Sequence, residues 1–120
     1  MPITTAGRNF IASLITGTGT LYNTANAHLA VGNGTTAFDA AHTDLQGASR
    51  FRRICTTASA ATNVLTFVTT YATAEANFAW QEWGVFNHAT AGTMLTRRVE
   101  NLGTKVSGSW TFTVTITINI

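Results

Sequence analysis

Few side chains of this 120-residue chain could take part in acid–base, nucleophilic or metal chemistry. The sequence has seven Lys and Arg, five Asp and Glu, three His and one Cys. His42 lies close to Asp39 and Asp44, and imidazole with carboxylate groups suits several metals, although the same residue types also form loop turns. Their spacing matches no metal-site pattern, so we expect no metal and no cofactor.

The cysteine and the glutamates give no catalytic constellation either. Cys55 would need a neighbouring base to act as a nucleophile, and it lies in a strand-like stretch where a free cysteine usually packs as a small apolar residue. Glu75 and Glu82 could form the carboxylate pair of a glycosidase, but no other polar cluster supports a sugar site. The sequence therefore predicts that the protein is not an enzyme.

Two arginine clusters remain as candidate contact residues: Arg50, Arg52, Arg53, Arg97 and Arg98. Such residues can form a solvated or salt-bridged strand face, or a protein interface, where arginine is enriched. Nucleic-acid binding would require exposed aromatic residues beside them on which bases can stack. Phe51 alone is weak evidence for such binding. A net charge of +2 is also low for a nucleic-acid binder. We expect no direct nucleic-acid binding, and the first two interpretations stay open.

The most distinctive stretch is NFAWQEWGVFN, residues 77–87. In a regular strand Trp80, Glu82 and Phe86 share one face, whereas Trp83 and Val85 share the other. Large aromatic residues on both faces predict burial on both. We therefore predict a structural role in the core for Trp80, Trp83 and Phe86, with a carbohydrate-binding aromatic platform as the alternative.

Glu82 lies between these aromatic residues and is predicted to be a buried carboxylate. Burying a charged group without a partner costs free energy. We therefore expect Glu82 to pair with an arginine, either Arg97 or Arg98.

One helix is predicted near the beginning of the chain, in TTAGRNFIASLITG, residues 4–17. Ile11 and Ile15 are four residues apart and belong to an apolar helix face. Thr4 or Thr5 can cap the helix, and Gly17 can end it.

The rest of the chain has the short alternating segments typical of strands. Strands are predicted at residues 28–31, 49–57, 63–73, 78–87, 93–100 and 110–120, with a turn at 32–34 and loops at 35–48 and 101–109. The last segment, WTFTVTITINI, alternates apolar residues with polar ones. Its apolar face, with Trp110 and Phe112, is predicted to be core, and its threonine face to be solvated or packed against another subunit. We expect this strand inside a sheet or on an edge that a partner chain uses.

This pattern predicts a mainly β fold, an antiparallel β-sandwich or jelly-roll-like single domain with one short N-terminal α-helix. The domain covers residues 1–120, with an N-terminal arm and helix at 1–17 and the sandwich at 28–120. Charged residues make up only 10% of the chain, against about 25% in ordinary domains. Because a charge-poor surface favours association, we expect the protein to be part of an assembly.

Neither a membrane span nor a secretory signal is evident in the sequence. No apolar stretch approaches the roughly 20 residues that span a bilayer, and the start of the chain lacks the features of a signal peptide. We expect no membrane association and folding in a reducing cytosol.

The chain resembles small structural proteins of tailed bacteriophage virions. The resemblance covers EANFAWQEWGVFN, GTMLTRRVENLGTKVSGSWTFTVTITI, AGRNFIASLITG and HLAVGNGTTAF. Glu82 to Phe86 also match, more distantly, the "E-x-G-apolar-F" element of tail-collar and fibre-associated domains.

This resemblance implies a β-sandwich that assembles on a virion and has no enzymatic activity. The chain lacks a fibre shaft or coiled coil, which favours a capsid decoration (cement) protein made in the bacterial host cytoplasm. Such a protein would form a homotrimer on the capsid surface and stabilise the shell of the major capsid protein. The five arginines named above are then candidate shell or intersubunit contacts. The alternative is a tail, fibre or collar component that contacts host-surface glycans.

Overall fold

A computed structural model of the chain describes residues 3–119. Over these residues it has one helix and seven strands, which are α1 (Thr5–Ile15), β1 (His28–Gly32), β2 (Arg50–Ile54), β3 (Thr57–Ala61), β4 (Val64–Tyr71), β5 (Ala79–Phe86), β6 (Met94–Thr104) and β7 (Trp110–Thr117). Strands β2-β1-β5-β6 form a four-stranded sheet, here called sheet A, and β3-β4-β7 form a three-stranded sheet, sheet B. All neighbouring strands are antiparallel. The predicted antiparallel sandwich with a short N-terminal helix is confirmed.

Aromatic side chains fill the space between the two sheets. The ring of Trp80 lies edge-on to Tyr71 and to Trp110, each at 5.0 Å between ring centroids, and to Phe112 at 5.8 Å. Trp83 contacts Phe112 in the same way at 6.0 Å. Edge-to-face pairs of this kind contribute about 0.5–1.5 kcal/mol each beyond the buried area. This cluster joins sheet A to sheet B.

Helix α1 docks by its first turn onto β6 of its own chain. The Thr4 side chain accepts a hydrogen bond from the Gly7 N–H at 2.9 Å and donates one to the Met94 carbonyl at 2.7 Å. A Cβ at Gly7 would collide with the backbone of Leu95, so glycine permits the close approach. The end of the helix rises away from the sheet and leaves Ile15 81% exposed. The apolar face predicted from the sequence is therefore not covered at its last residue, Ile15.

The predicted strand at residues 49–57 is two strands on different sheets. The chain leaves sheet A after Ile54, passes from one sheet to the other at the buried Cys55, and begins β3 in sheet B. Strand β3 was not predicted because Thr57–Ala61 is made mostly of small residues with little strand preference. It forms because a tight turn, with Thr62 at a φ of 53°, folds it back onto β4.

The bounds of β6 and β7 also differ from the prediction. Strand β6 runs to Thr104, because Ala79 and Trp80 pair with Thr104 and Gly103 where a loop was predicted. Strand β7 ends at Thr117, so residues 118 and 119, which the prediction included, lie outside the observed strand. Ile120 lies outside the described residues.

An irregularity in β5 changes which aromatic residues share a face. The register with β6 shifts between Trp80 and Glu82, so Trp80, Trp83 and Val85 all enter the core between the sheets. Phe86 lies on the opposite face of sheet A, in a second buried cluster beneath the loop of residues 33–49. The predicted common face of Trp80 and Phe86 is therefore wrong, because the pattern assumed uninterrupted alternation. Large aromatics on both faces are nevertheless buried.

Among the described residues, no helix is long and apolar enough to cross a membrane.

Candidate interaction surface and buried polar centres

Glu82 is the centre of a buried polar network under the loop of residues 33–49. Its carboxylate has no exposed surface. Oε1 accepts hydrogen bonds from the Arg97 Nε and the Gln46 N–H, both at 2.8 Å. Oε2 accepts from the N–H groups of Gly47 at 2.7 Å and Gly34 at 3.0 Å. One side chain of β5 therefore holds both ends of the loop and the neighbouring strand β6.

This network keeps Glu82 ionised. Burial raises the pKa of the carboxyl group, but the hydrogen bonds from Gln46, Arg97 and Gly47 and the charge of Arg97 outweigh that effect and hold the pKa below its ordinary value of 4.5. Arg97 itself is completely buried and donates a second hydrogen bond to the Thr36 carbonyl at 2.9 Å. Charge compensation explains why two ionised groups remain in the interior.

Glycines around Glu82 allow the loop backbone to approach the carboxylate. A Cβ at Gly32 or Gly34 would lie 2.5 Å from Glu82 Oε2, and a Cβ at Gly47 would collide with Asn33 and Gly34. The stretch predicted as a tight turn at 32–34 is instead the end of β1 and the start of the long loop. Close approach to the carboxylate requires glycine at 32 and 34, and close approach of the two ends of the loop requires it at 47.

The burial of Arg97 corrects its prediction as a shell or intersubunit contact. Its side chain has 0% exposure and contacts Glu82, the Thr36 carbonyl and the His42 ring within the chain. Arg98, the next residue, points outward with 57% side-chain exposure and lies 3.9 Å from Glu100. Since successive strand residues face opposite sides, only one of the two adjacent arginines could reach Glu82.

The arginines of β2 all have partners within the chain. Arg50 contacts Asp44 at 3.1 Å, and Arg53 contacts Glu75 at 2.7 Å. Arg52 covers the ring of Phe86, 3.5 Å from its centroid, and donates to the carbonyls of His88 and Ala91. Arg50 and Arg53 remain partly exposed, with side-chain exposures of 47% and 43%, whereas Arg52 is largely a packing residue.

A second buried charge, Lys105, was not singled out from the sequence. Its side chain is 1% exposed, and Nζ donates to the carbonyls of Ala72, Glu75 and Thr73 at 2.8, 2.8 and 3.3 Å and to Asn77 Oδ1 at 2.8 Å. The ammonium group thus fixes the connection between β4 and β5. The signal that could have indicated it is the position of this lysine directly before an uncharged stretch, residues 106–120.

The predicted aromatic core residues lie inside the sandwich or against it. Trp80, Trp83 and Phe86 are 2%, 7% and 0% exposed, and Trp110 and Phe112 are partly buried against the core. Trp80 and Trp83 therefore offer no open ring face to a sugar. The carbohydrate platform placed on these two residues is not supported by their burial.

The remaining reactive groups are dispersed or buried. Cys55 is 3% exposed, and burial raises the pKa of its thiol to about 11, although a hydrogen bond with the Leu29 backbone opposes the shift. Glu75 is paired with Arg53, far from the network of Glu82. Over residues 3–119 no three His, Cys, Asp or Glu side chains come together in a way that could hold a metal ion.

Charge is segregated between the two sheets. The three strands of sheet B contain no charged residue, whereas β2, β5 and β6 of sheet A all do. The outer face of sheet B carries a threonine ladder, in which Thr66 pairs with Thr115 and Thr70 with Thr111. The hydroxyl groups of Thr70 and Thr111 are 2.9 Å apart. We call this surface the threonine face: Thr66, Thr70, Thr111, Thr113, Thr115 and Thr117.

An apolar groove of about 380 Å³ opens beside the sandwich. Helix α1 contributes Ile11 and Leu14, sheet B contributes Leu65 and Phe67, and the exposed side chains of Leu21 and Ile118 form part of its lining. Leu65 and Phe67 pair with Ile116 and Val114 on the inner face of sheet B, so the groove opens between the sheets and is separate from the threonine face.

Comparison with protein-family models, curated proteins and solved structures finds no match to the chain.

Proposed function

We propose that the protein is a structural component of a bacteriophage virion, and specifically a capsid decoration protein that binds the assembled shell of the major capsid protein and stabilises it. The observation that carries this proposal is the segregation of charge, which leaves sheet B with a neutral outer face. The cores of protein interfaces are depleted in charged residues. The virion context of this proposal comes from the resemblance of residues 75–87 and 92–118 given in the sequence analysis.

The buried polar groups support a structural role rather than a catalytic one. Glu82 and Arg97 satisfy each other and the backbone of residues 34–47, and Lys105 is surrounded by carbonyl groups. Over the described residues no buried side-chain nitrogen or oxygen lacks a hydrogen-bond partner. These groups stabilise a rigid domain that presents a surface.

In this proposal the threonine face lies against the shell. A ligand that binds only the assembled state stabilises that state by mass action. Many copies on one lattice would then contribute through multivalency. The exposed Arg98 and the partly exposed Arg50 and Arg53 remain candidates for contacts at the margin of the interface.

Immunogold labelling of virions and co-sedimentation with purified heads test the proposal. Gold distributed over the head, and binding to assembled heads but not to unassembled capsid subunits, are expected. A Thr66→Lys variant, which places a charge in the middle of the threonine face, should lose binding at least tenfold. Thr35→Lys is the matched control, because it adds the same charge at an exposed position of the loop of residues 33–49, away from sheet B.

Three results would contradict the proposal. Gold confined to the tail would point to the tail or fibre alternative, and absence of gold from every particle would remove the virion context. Equal loss of head binding in the Thr66→Lys and Thr35→Lys variants would show that the threonine face is not the contact surface.

A further inference from the structure

Strand β7 is an open sheet edge without the features that usually protect such edges. It pairs with β4 on one side, in uninterrupted register over all eight residues from Trp110 to Thr117. Its other side is the margin of sheet B. It contains no charged residue, no proline and no bulge, although natural edge strands commonly use one of these to prevent pairing with another chain.

The other three edges of the sandwich are each protected. Strand β2 carries Arg50, Arg52 and Arg53. The start of β6 is covered by the N-terminal segment, because Ile3 bridges to Thr96 and the Thr4 N–H donates to the Leu95 carbonyl. Strand β3 is only five residues long, and short edges pair weakly. Among the edges of the two sheets as described, β7 is therefore the one without such protection.

The backbone groups available at this edge belong to the threonines. The Ile118 N–H donates to the Asn63 carbonyl at 2.8 Å, which shows that the even-numbered residues bond towards β4. Since the direction alternates along an antiparallel strand, the N–H and C=O groups of the odd-numbered residues point outward. These residues are Thr111, Thr113, Thr115 and Thr117, and all four are exposed.

We propose that β7 pairs antiparallel with β7 of a second copy of this chain across a two-fold axis. The pairing that uses most of the strand places Thr113 opposite Thr115 of the second copy and Val114 opposite its own counterpart. In this register threonines remain on the outer face and apolar residues on the inner face in both copies, as the period of two requires. The two copies of sheet B then form one continuous sheet.

Charge and side-chain chemistry both favour a second copy as the occupant. Two β2 edges would bring arginine clusters together, whereas β7 itself carries no charge. The charged side chain beside it is Arg98, which lines a pocket with Thr115 and Thr117 and lies 3.9 Å from Glu100. Threonine opposite threonine is also a favourable cross-strand pair, and the chain already uses it at Thr70 and Thr111. A closed ring of three copies would require β7 to pair with a different edge, and each of those edges is protected.

This pairing would join two threonine faces side by side on the same side of the dimer. It therefore deepens the proposed function, because a dimer would offer the shell twice the neutral surface. Pairing through β7 does not require the shell, so it can be tested in solution whether or not the protein decorates a capsid.

Analytical ultracentrifugation of the full chain tests the inference. The wild-type protein should approach twice its 12.8 kDa mass as its concentration rises. Thr115→Pro removes an outward N–H, a position where an edge strand tolerates proline, and should sediment as a single chain. Thr66→Lys is the matched control: it alters the threonine face without touching the edge and should remain dimeric.

A wild-type mass of one chain at every concentration, or of three chains, would overturn the inference. A dimer that is lost in Thr66→Lys but kept in Thr115→Pro would also overturn it, because the faces rather than the edges would then be stacked. Should Thr115→Pro fail to fold, amide hydrogen exchange of the wild type decides. Concentration-dependent protection at Thr113 and Thr115 is expected, and its absence would refute edge pairing.

Discussion

Replacing Glu82 by glutamine should destabilise the fold severely although the side chain keeps its size. Glutamine presents one acceptor oxygen and one NH₂ donor in place of two acceptor oxygens. Whichever orientation it adopts, the NH₂ group faces two donors, either the Gly34 and Gly47 N–H groups or the Gln46 N–H and Arg97. Arg97 also remains buried without a counter-charge.

The magnitude follows from the complete burial of the ion pair. Removing one partner of a buried pair typically costs about 3–5 kcal/mol. For a domain of this size, about 4 °C per kcal/mol converts that loss to a fall in Tm of about 12–20 °C. Most of the cost comes from the uncompensated arginine. A double variant, Glu82→Gln with Arg97→Met, should therefore recover part of the loss, because replacement of both partners of such a pair is often tolerated.

Urea unfolding followed by tryptophan fluorescence measures the effect, since Trp80 and Trp83 are buried in the native state. Arg98→Met is the matched control. It removes an arginine from the same strand, but one that is exposed and 3.9 Å from Glu100, and exposed pairs contribute at most about 1 kcal/mol.

Two outcomes would refute the reasoning. A loss below about 1 kcal/mol for Glu82→Gln would mean that the network does not depend on the carboxylate charge, since a buried pair should cost about 3–5 kcal/mol to break. A double variant that is less stable than Glu82→Gln would show that Arg97 is not the source of the penalty.

Further predictions concern ionisation and the second buried charge. Because folding lowers the pKa of Glu82 from 4.5, the contribution of its carboxylate to stability is present above pH 4.5 and is lost as the pH falls through the folded-state pKa. The unfolding free energy of the wild type should therefore fall more steeply in acid than that of Glu82→Gln. Parallel pH dependence of the two unfolding free energies would contradict this. Lys105→Met leaves its carbonyl acceptors without a donor and should cost about 2–3 kcal/mol in urea unfolding, whereas Val106→Met, at an exposed neighbour, should be neutral. The Cys55 thiol, with its pKa raised to about 11, should react with a disulfide reagent at pH 8 only when the protein unfolds; rapid labelling of the native protein would contradict the burial.

Much of the fold was predictable where local pattern and tertiary environment agree. The alternation in Trp110–Thr117 identified an apolar core face and a polar outer face, and Thr4 was a recognisable helix cap. Strand β3 was missed because its pairing with β4, rather than its own residues, makes it a strand. The predicted face of Trp80 was wrong because a register shift with β6 interrupts the alternation of side chains along β5. Pairing with another strand, rather than the residues of β5 alone, determines that shift.

The partners of the buried charged side chains were predictable only where burying the charge unpaired has a known free-energy cost. The cost of burying Glu82 indicated an arginine partner, and the structure selects Arg97. The backbone donors at Gly34 and Gly47 could not be foreseen, since they depend on the path of a loop without periodic pattern. Lys105 was missed for the same reason, because its carbonyl partners are main-chain groups that any residue possesses.

The attachment of residues 33–49 to Glu82 has a consequence for the dynamics of this segment. Most of it is irregular and exposed, so by its appearance it should fluctuate independently of the sheets. However, the Gly34, Gln46 and Gly47 N–H groups donate to the buried Glu82 carboxylate between the loop and sheet A, and their release requires opening of the ion pair itself. These three amides should therefore exchange with solvent through the same sub-global opening as the middle of β5. In cooperative terms these three residues belong to the same unit as the middle of β5.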